Sequence, residues 1–162
     1  MRSIRSCIVL LGLAVTTAWA RGLPKGPLPA VQAEEIIGRT RELFWSHAVG
    51  EDGKPLTPTD DQERTALLIP QDQARRVVDD AFDYGLALWC GVEWNPTYLQ
   101  YMQVERRKSR NVKQVAFIGM LFGVTQGTIK RISDGACTPE DKSEVVRRIQ
   151  KEKRRLTKLL KD

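Results

Sequence analysis

Residues 114–129 contain no charged side chain, although 28% of the residues in the whole chain are charged. Glycine occupies every fourth position in the middle of this stretch: Gly119, Gly123 and Gly127. As a helix the stretch would be about 24 Å long, which is shorter than the ~30 Å hydrocarbon core of a bilayer. Lys113 and Lys130 flank it. The stretch therefore predicts a helix of a folded domain and not a membrane span.

The three glycines need a physical reason, because glycine destabilises a helix by about 1 kcal/mol relative to alanine. Small residues at every fourth position form a groove that lets another backbone approach closely. A second helix, predicted to begin at Asp72, offers a matching small face that includes Ala81 and Gly85. We therefore predict that the two faces pack together, and a ligand groove or a dimer seam is the functional alternative. The predicted packing groove consists of Gly85, Gly119, Gly123 and Gly127.

The N-terminus has the pattern of a secretory signal peptide. Arg2 and Arg5 precede a short apolar run, and Ala18-Trp19-Ala20 follows it as a cleavage site. We predict a signal peptide over 1–20 and export to the bacterial periplasm. Removing 20 of the 162 residues leaves 142, about one domain. Residues 21–30 contain three prolines and are expected to form an extended arm before a helical domain over 31–162.

Two cysteines, Cys90 and Cys137, remain once the signal peptide with Cys7 is removed. In an oxidising compartment such a pair predicts one disulfide. The bond would close a loop of about 48 residues and contribute roughly 4 kcal/mol through the entropy of the unfolded chain. Together with the only histidine, His47, the cysteines cannot form a zinc site of three or four ligands without carboxylates. No metal and no other cofactor is expected.

Apolar residues recur at helical spacing through most of the domain. Long helices are predicted over 31–49, from residue 72 to about 93, over 96–110, from Asn111 to the Asp134-Gly135 pair, and after the cap residue Thr138. A short helix is expected within 60–68. No segment has the sustained alternation of a strand. The fold class is therefore all-α, a compact bundle of four or five helices with one disulfide.

Candidate catalytic groups are few, and each has a simpler explanation. His47 has no nucleophile in a suitable context, and the adjacent Ser46 is not expected to face it correctly. Asp79, Asp83 and Glu93 lie along one helix, and the first two are four residues apart as some acid/base pairs are. Such carboxylates more often form a solvated face or pair with nearby arginines. We predict no enzymatic activity.

Two groups of residues are candidates for binding. Trp94, Tyr98 and Tyr101 cluster near Cys90 and are of the types that anchor protein interfaces. Residues 142–162 hold nine basic and three acidic side chains, a net charge of +6, which suits an anionic membrane or polymer surface. Export argues against nucleic acid as the partner. The predicted basic surface consists of Arg147, Arg148, Lys151, Lys153, Arg154 and Arg155.

The pattern "ALWCGV", "FIGMLFGVTQG" and "CTPEDKSEVVRRI" resembles the immunity proteins of type VI secretion amidase effectors, the Tai/Rap group. The resemblance covers about 60 residues of the chain, and residues 31–70 have no counterpart in it. It implies a small exported helical protein that blocks a toxic cell-wall hydrolase, often as a dimer. It assigns no inhibitory residues to this sequence. The matched positions are Phe117, Ile118, Gly119, Gly123, Cys137, Pro139, Val145 and Val146.

These observations together predict an exported, non-enzymatic binding protein that inhibits or neutralises a protein partner. The alternative is an envelope chaperone or an anionic-surface protein that uses its basic C-terminal helix. A homodimer is compatible with either interpretation.

Overall fold

The computed structural model of the protein describes residues 26–50, 52–109, 111–133 and 135–162. Within these ranges extended pairing is limited to one isolated bridge between Val49 and Pro55. The prediction of an all-α fold with one disulfide is confirmed, with six helices in place of four or five. The predicted signal peptide lies outside the described residues. The helices are α1 Ala30–His47, α2 Asp61–Thr65, α3 Gln71–Trp89, α4 Asn95–Lys108, α5 Val112–Ile132 and α6 Pro139–Lys161.

The most extensive helix contact joins α3 to α5. Gly85 on α3 makes it possible, because a Cβ at this position would overlap the Cβ of Ile129 and come within 2.7 Å of its Cγ2. Nearby, Gln126 Nε2 donates a hydrogen bond of 3.4 Å to the carbonyl oxygen of Tyr84. The predicted close approach of these two helices therefore occurs through Gly85.

Aromatic rings fill the space around this contact. The Tyr84 and Phe122 ring centroids are 4.8 Å apart, and those of Tyr101 and Phe122 are 5.0 Å apart. Further along, Phe44 of α1 meets Phe117 of α5 at 5.4 Å. All five side chains are at most 2% exposed. Aromatic packing thus links α1, α3, α4 and α5 into one core.

The predicted bond between Cys90 and Cys137 is present, with the two Cα atoms 5.2 Å apart. Cys90 directly follows α3, and Cys137 lies between α5 and α6. Trp89 Nε1 also donates to the carbonyl oxygen of Gly135 at 3.2 Å. Because the C-terminal ends of α3 and α5 meet here, the two helices run in the same general direction and are not antiparallel.

Local signals set the ends of the later helices. The Asn111 side chain accepts hydrogen bonds from the backbone N–H groups of Lys113 and Gln114 and begins α5 as predicted. Thr138 and Asp141 form a reciprocal capping box at the start of α6. Helix α4 begins at Asn95, one residue earlier than predicted, and Trp94 precedes it without a side-chain cap.

The segments around α1 and α2 are fixed by polar contacts. Arg75 Nη2 donates to the carbonyl oxygen of Leu28 at 2.8 Å, and the Leu28 side chain is buried. The described end of the proline-rich segment therefore lies against the bundle. Lys113 Nζ binds Glu63 Oε2 at 2.6 Å and Thr59 Oγ1 at 2.9 Å, which ties the α2 region to the start of α5. Among the described residues, no helix is both long and apolar enough to cross a bilayer.

Candidate protein-binding surface

One side of α5 is half-buried or exposed along its whole length. We call it the α5 outer face: Ala116, Gly119, Met120, Gly123, Val124 and Gly127. The bulky buried residues of the helix, such as Phe117, Leu121 and Ile129, lie on the opposite side. Gly123 and Gly127 are exposed, and the other members are half-buried. The result is an uncharged surface strip that runs from Lys113 to Lys130 on a protein rich in charge.

The glycines of this strip do not make the contact that the sequence suggested. An added Cβ would meet nothing within 4 Å at Gly123 or at Gly127. At Gly119 it would meet the Met102 Cε at 3.4 Å and the Tyr98 hydroxyl at 3.6 Å, which are ordinary contacts. The expectation that these three glycines pack against α3 is therefore wrong. The contact uses the adjacent side of α5, which carries Gln126 and Ile129.

A cleft of about 450 Å³ continues the α5 outer face toward the start of the helix. It lies between the C-terminal half of α4 and the N-terminal half of α5, with Val49 and Gly50 at one side. The α5 outer face and the cleft share Ala116 and Gly119. The cleft is mostly apolar and could accept one side chain of a partner. Its remaining lining residues are Met102, Arg106, Ser109, Val112 and Val115.

The three aromatic residues predicted to bind a partner do not all lie at the surface. Tyr101 is 2% exposed and belongs to the core, so it cannot contact a partner. Trp94 and Tyr98 are half-buried, with ring centroids 5.9 Å apart, and Tyr98 lies beside Gly119. Leu99, next to Tyr98 in sequence, is 56% exposed. The start of α4 therefore offers Tyr98 and Trp94 at the edge of the α5 outer face.

The predicted basic surface is also divided. Arg148 turns inward, and its Nη1 binds Asp83 of α3 at 3.1 Å. Arg155 lies against Glu152 and approaches Asp80 of α3, with 3.8 Å between Nη2 and Oδ1. These two arginines connect α6 to α3 and do not belong to a free basic surface.

Asp80 lies where α3 packs against α6, and the pKa of its carboxyl group is raised there. The pKa of Asp80 is raised to about 6, chiefly by burial, with the charge of Arg155 opposing the rise and the nearby carboxylate of Glu152 adding to it. The hydroxyl of Tyr84, which burial also shifts to a higher pKa, has no hydrogen-bond partner among the described residues. Glu105, 5% exposed on α4, pairs with Lys108 at 2.6 Å. These polar groups lie where α3, α4 and α6 pack together, and the Asp80 and Tyr84 side chains are there at a cost to stability.

The other members of the predicted basic surface remain outside: Arg147, Lys151, Lys153 and Arg154. Arg147 is paired with Glu144, with 2.7 Å between Nη2 and Oε1. Lys151 and Arg154 have no ion pair within the described part of the chain. Lys158 and Lys161 continue the same side of α6 at helical spacing.

The candidate catalytic residues do not come together. Ser46 Oγ lies 2.8 Å from His47 Nδ1, so the expectation that these neighbours could not meet is wrong. The same nitrogen lies 3.1 Å from the carbonyl oxygen of Leu43, and both side chains are exposed. Asp79 pairs with Arg75 at 3.6 Å, as helical spacing suggested. Glu93 accepts a hydrogen bond from the backbone of Asn95.

Among the described residues, no cluster of three or more His, Cys, Asp or Glu side chains is arranged to hold a metal ion. No protein-family model, curated protein or solved structure matches the chain.

The sequence did contain a signal for the exposed position of the glycines. Core-sized apolar residues of α5 recur at 117, 118, 121, 122 and 129, and the glycines lie on the other side of a helical wheel. The cleft had no such signal, because it depends on the separation of α4 from α5.

Proposed function

We propose that the protein is an exported, non-enzymatic binding protein that holds a protein partner on the α5 outer face and in the adjoining cleft. The observation that carries this proposal is the exposed position of Gly123 and Gly127 inside a long helix. Each glycine destabilises the helix by about 1 kcal/mol relative to alanine. No neighbouring residue in the described chain is close enough to exclude a side chain at either position. Close approach of another molecule supplies the missing reason.

The charges around the strip favour a different protein over a second copy of the same chain. Lys130 and Arg131 are exposed at one end of the α5 outer face, and Arg106 lines the cleft near the other. Two parallel copies crossing at Gly123 would bring Lys130 and Arg131 of one copy close to the same residues of the other. A partner with an apolar centre and an acidic rim avoids this repulsion.

The resemblance to the amidase-effector immunity proteins suggests the class of partner, a cell-wall hydrolase. The strip would block such an enzyme by covering its surface and would contribute no chemistry. Tyr98 and Trp94 lie at its edge and add aromatic contact area of the kind that anchors interfaces. Tyr101 has no part in this surface, because it is buried.

The test compares Gly123→Arg with Gly38→Arg. Both glycines lie within long helices and have open space where a Cβ would be, but Gly38 is on α1. Partners cross-linked to the disulfide-bonded protein would be identified, and the complex rebuilt from purified components to measure Kd. We expect a stoichiometric complex that Gly123→Arg weakens at least a hundredfold and Gly38→Arg leaves unchanged.

Two results would overturn the proposal. One is a purified complex whose Kd is the same for Gly123→Arg and for the unchanged protein. The other is a concentration-dependent dimer of the protein alone that Gly123→Arg abolishes, since this would assign the strip to self-association. Hydrolysis of peptidoglycan by the purified protein would contradict the non-enzymatic part.

A further inference from the structure

The outer side of α6 carries a line of cations that the proposed function does not use. We call it the α6 outer face: Lys151, Arg154, Lys158 and Lys161. The spacing of three and four residues places these side chains on one ridge, about 15 Å long at 1.5 Å per residue. All four are exposed. Arg147, one turn earlier on the same ridge, is partly neutralised by Glu144.

The α6 outer face carries no acidic side chain. Glu152, the only acid between residues 147 and 161, is turned toward Arg155 and α3, with an 18% exposed side chain. No acid within the described part of the chain forms an ion pair with the α6 outer face. The charge of the ridge is therefore directed to solvent. Arg107 adds to it at one end, where its Nη1 donates to the carbonyl oxygen of Leu160 at 2.8 Å.

The apolar side of α6 is already occupied. Val145, Ile149 and Leu156 are buried against the bundle, so these residues cannot insert into a bilayer without unfolding the domain. Of the described residues in α6, Leu159 is the one large apolar side chain that is exposed, at 40%, so contact with an anionic surface would be mainly electrostatic. Such contact is weakened by salt and requires no change of structure.

We propose that the α6 outer face binds the anionic headgroups of a phospholipid bilayer. A plane of headgroups contacts a straight ridge along its whole length. A polyanionic strand is instead held in a positively charged groove, and the cleft described above lies between α4 and α5 and does not include α6. The bound protein would lie with α6 parallel to the bilayer.

The test is co-sedimentation of the disulfide-bonded protein with vesicles of phosphatidylglycerol and phosphatidylcholine, and with vesicles of phosphatidylcholine alone. The variant is K151Q/R154Q/K158Q, which removes three charges from the ridge. Its matched control is R41Q/K54Q/R64Q, which removes three exposed charges from α1, α2 and the loop between them. Circular dichroism would establish that all three proteins are folded.

We expect binding to the anionic vesicles only, weakened by salt. Each cation near an anionic surface contributes about a fivefold change in partition, so the ridge variant should bind about a hundredfold more weakly. The control variant should bind the anionic vesicles only slightly more weakly than the unchanged protein, by the amount that its lower net charge explains. Equal losses in the two variants, or no binding at low salt, would overturn the proposal. Binding to soluble polyphosphate but not to vesicles would also overturn it and would assign the ridge to a polymer.

Discussion

Gly85 on α3 lies so close to Ile129 on α5 that any side chain at position 85 would overlap it. The same helix α5 presents Gly123 and Gly127 to open space. Glycines in one helix pair thus have opposite physical roles. Gly85 permits a contact within the domain, and the other two leave a surface free.

This difference predicts opposite effects of alanine on stability. Gly85→Ala should lower the free energy of unfolding by about 1–3 kcal/mol, because the added methyl group overpacks the α3–α5 contact. Gly123→Ala and Gly127→Ala should each raise it by about 0.5–1 kcal/mol through helix propensity. Urea unfolding followed by circular dichroism measures all three. If Gly123→Ala were as destabilising as Gly85→Ala, α5 would have a neighbour at that position.

Removal of the Cys90–Cys137 bond should lower the free energy of unfolding by about 4 kcal/mol, since the bond restricts a long loop in the unfolded chain. The measurement is urea unfolding of the Cys90→Ala/Cys137→Ala variant beside the oxidised and the reduced protein. The reduced protein is the natural control, because it keeps both side chains. A midpoint unchanged by reduction would show that the bond contributes little to stability.

The raised pKa of Asp80 predicts that the free energy of unfolding depends on pH. Its pKa is raised to about 6 in the folded protein, above its usual value of 3.8. A carboxyl group with a raised folded-state pKa destabilises the fold when ionised, so stability should fall as pH rises from about 4 through 6. Because 37% of the side chain is exposed, solvent reduces the effect to about 1 kcal/mol.

Asp80→Asn should therefore stabilise the protein by about 1 kcal/mol at pH 7.5 and have little effect at pH 4. Asp79→Asn is a suitable comparison, because Asp79 is its exposed neighbour on α3. Thermal unfolding at both pH values gives the result. A loss of stability at pH 7.5 would mean that attraction to Arg155 outweighs the effect of burial.

Lys113 should control the ionisation of Glu63. Hydrogen bonds from Lys113, and from the backbone and hydroxyl of Thr59, lower the pKa of Glu63 to about 2. In Lys113→Met the pKa of Glu63 should rise toward its usual value. NMR titration of the side-chain carbons measures this change. The pKa of Glu144 is also about 2, held there by Arg147 and Arg148, and should not move.

Sequence periodicity was sufficient for the fold class, because each long helix has its own apolar face and end signals. The starts of α5 and α6 could also be predicted, because Asn111 and Thr138 are residues of the types that cap helices. Sequence periodicity shows which face of a helix is apolar, but it does not show which residue of a neighbouring helix packs against a given side chain. Arg148 and Arg155 therefore looked like surface charges, although Asp83 and Asp80 of α3 face them. Tyr101 looked like an interface residue because its burial depends on Phe122, which is distant in sequence.

The candidate site was harder to predict than the fold. Three glycines at regular spacing identify a surface suited to close approach, but their spacing alone does not show whether the surface is inside or outside the domain; only the bulky residues opposite them on the helical wheel indicate that. That outcome depends on which side of α5 the Gly85–Ile129 contact occupies.

The disulfide also determines how the chain would respond to tension. A force applied between the two ends passes from Cys90 to Cys137 through the sulfur atoms and bypasses residues 91–136, which include all of α4 and α5. At roughly 3.5 Å per residue, about 160 Å of chain would stay unextended in the oxidised protein and be released in the reduced one. In the oxidised protein α4 and α5 therefore lie outside the path of the force, which acts on α1, α3 and α6.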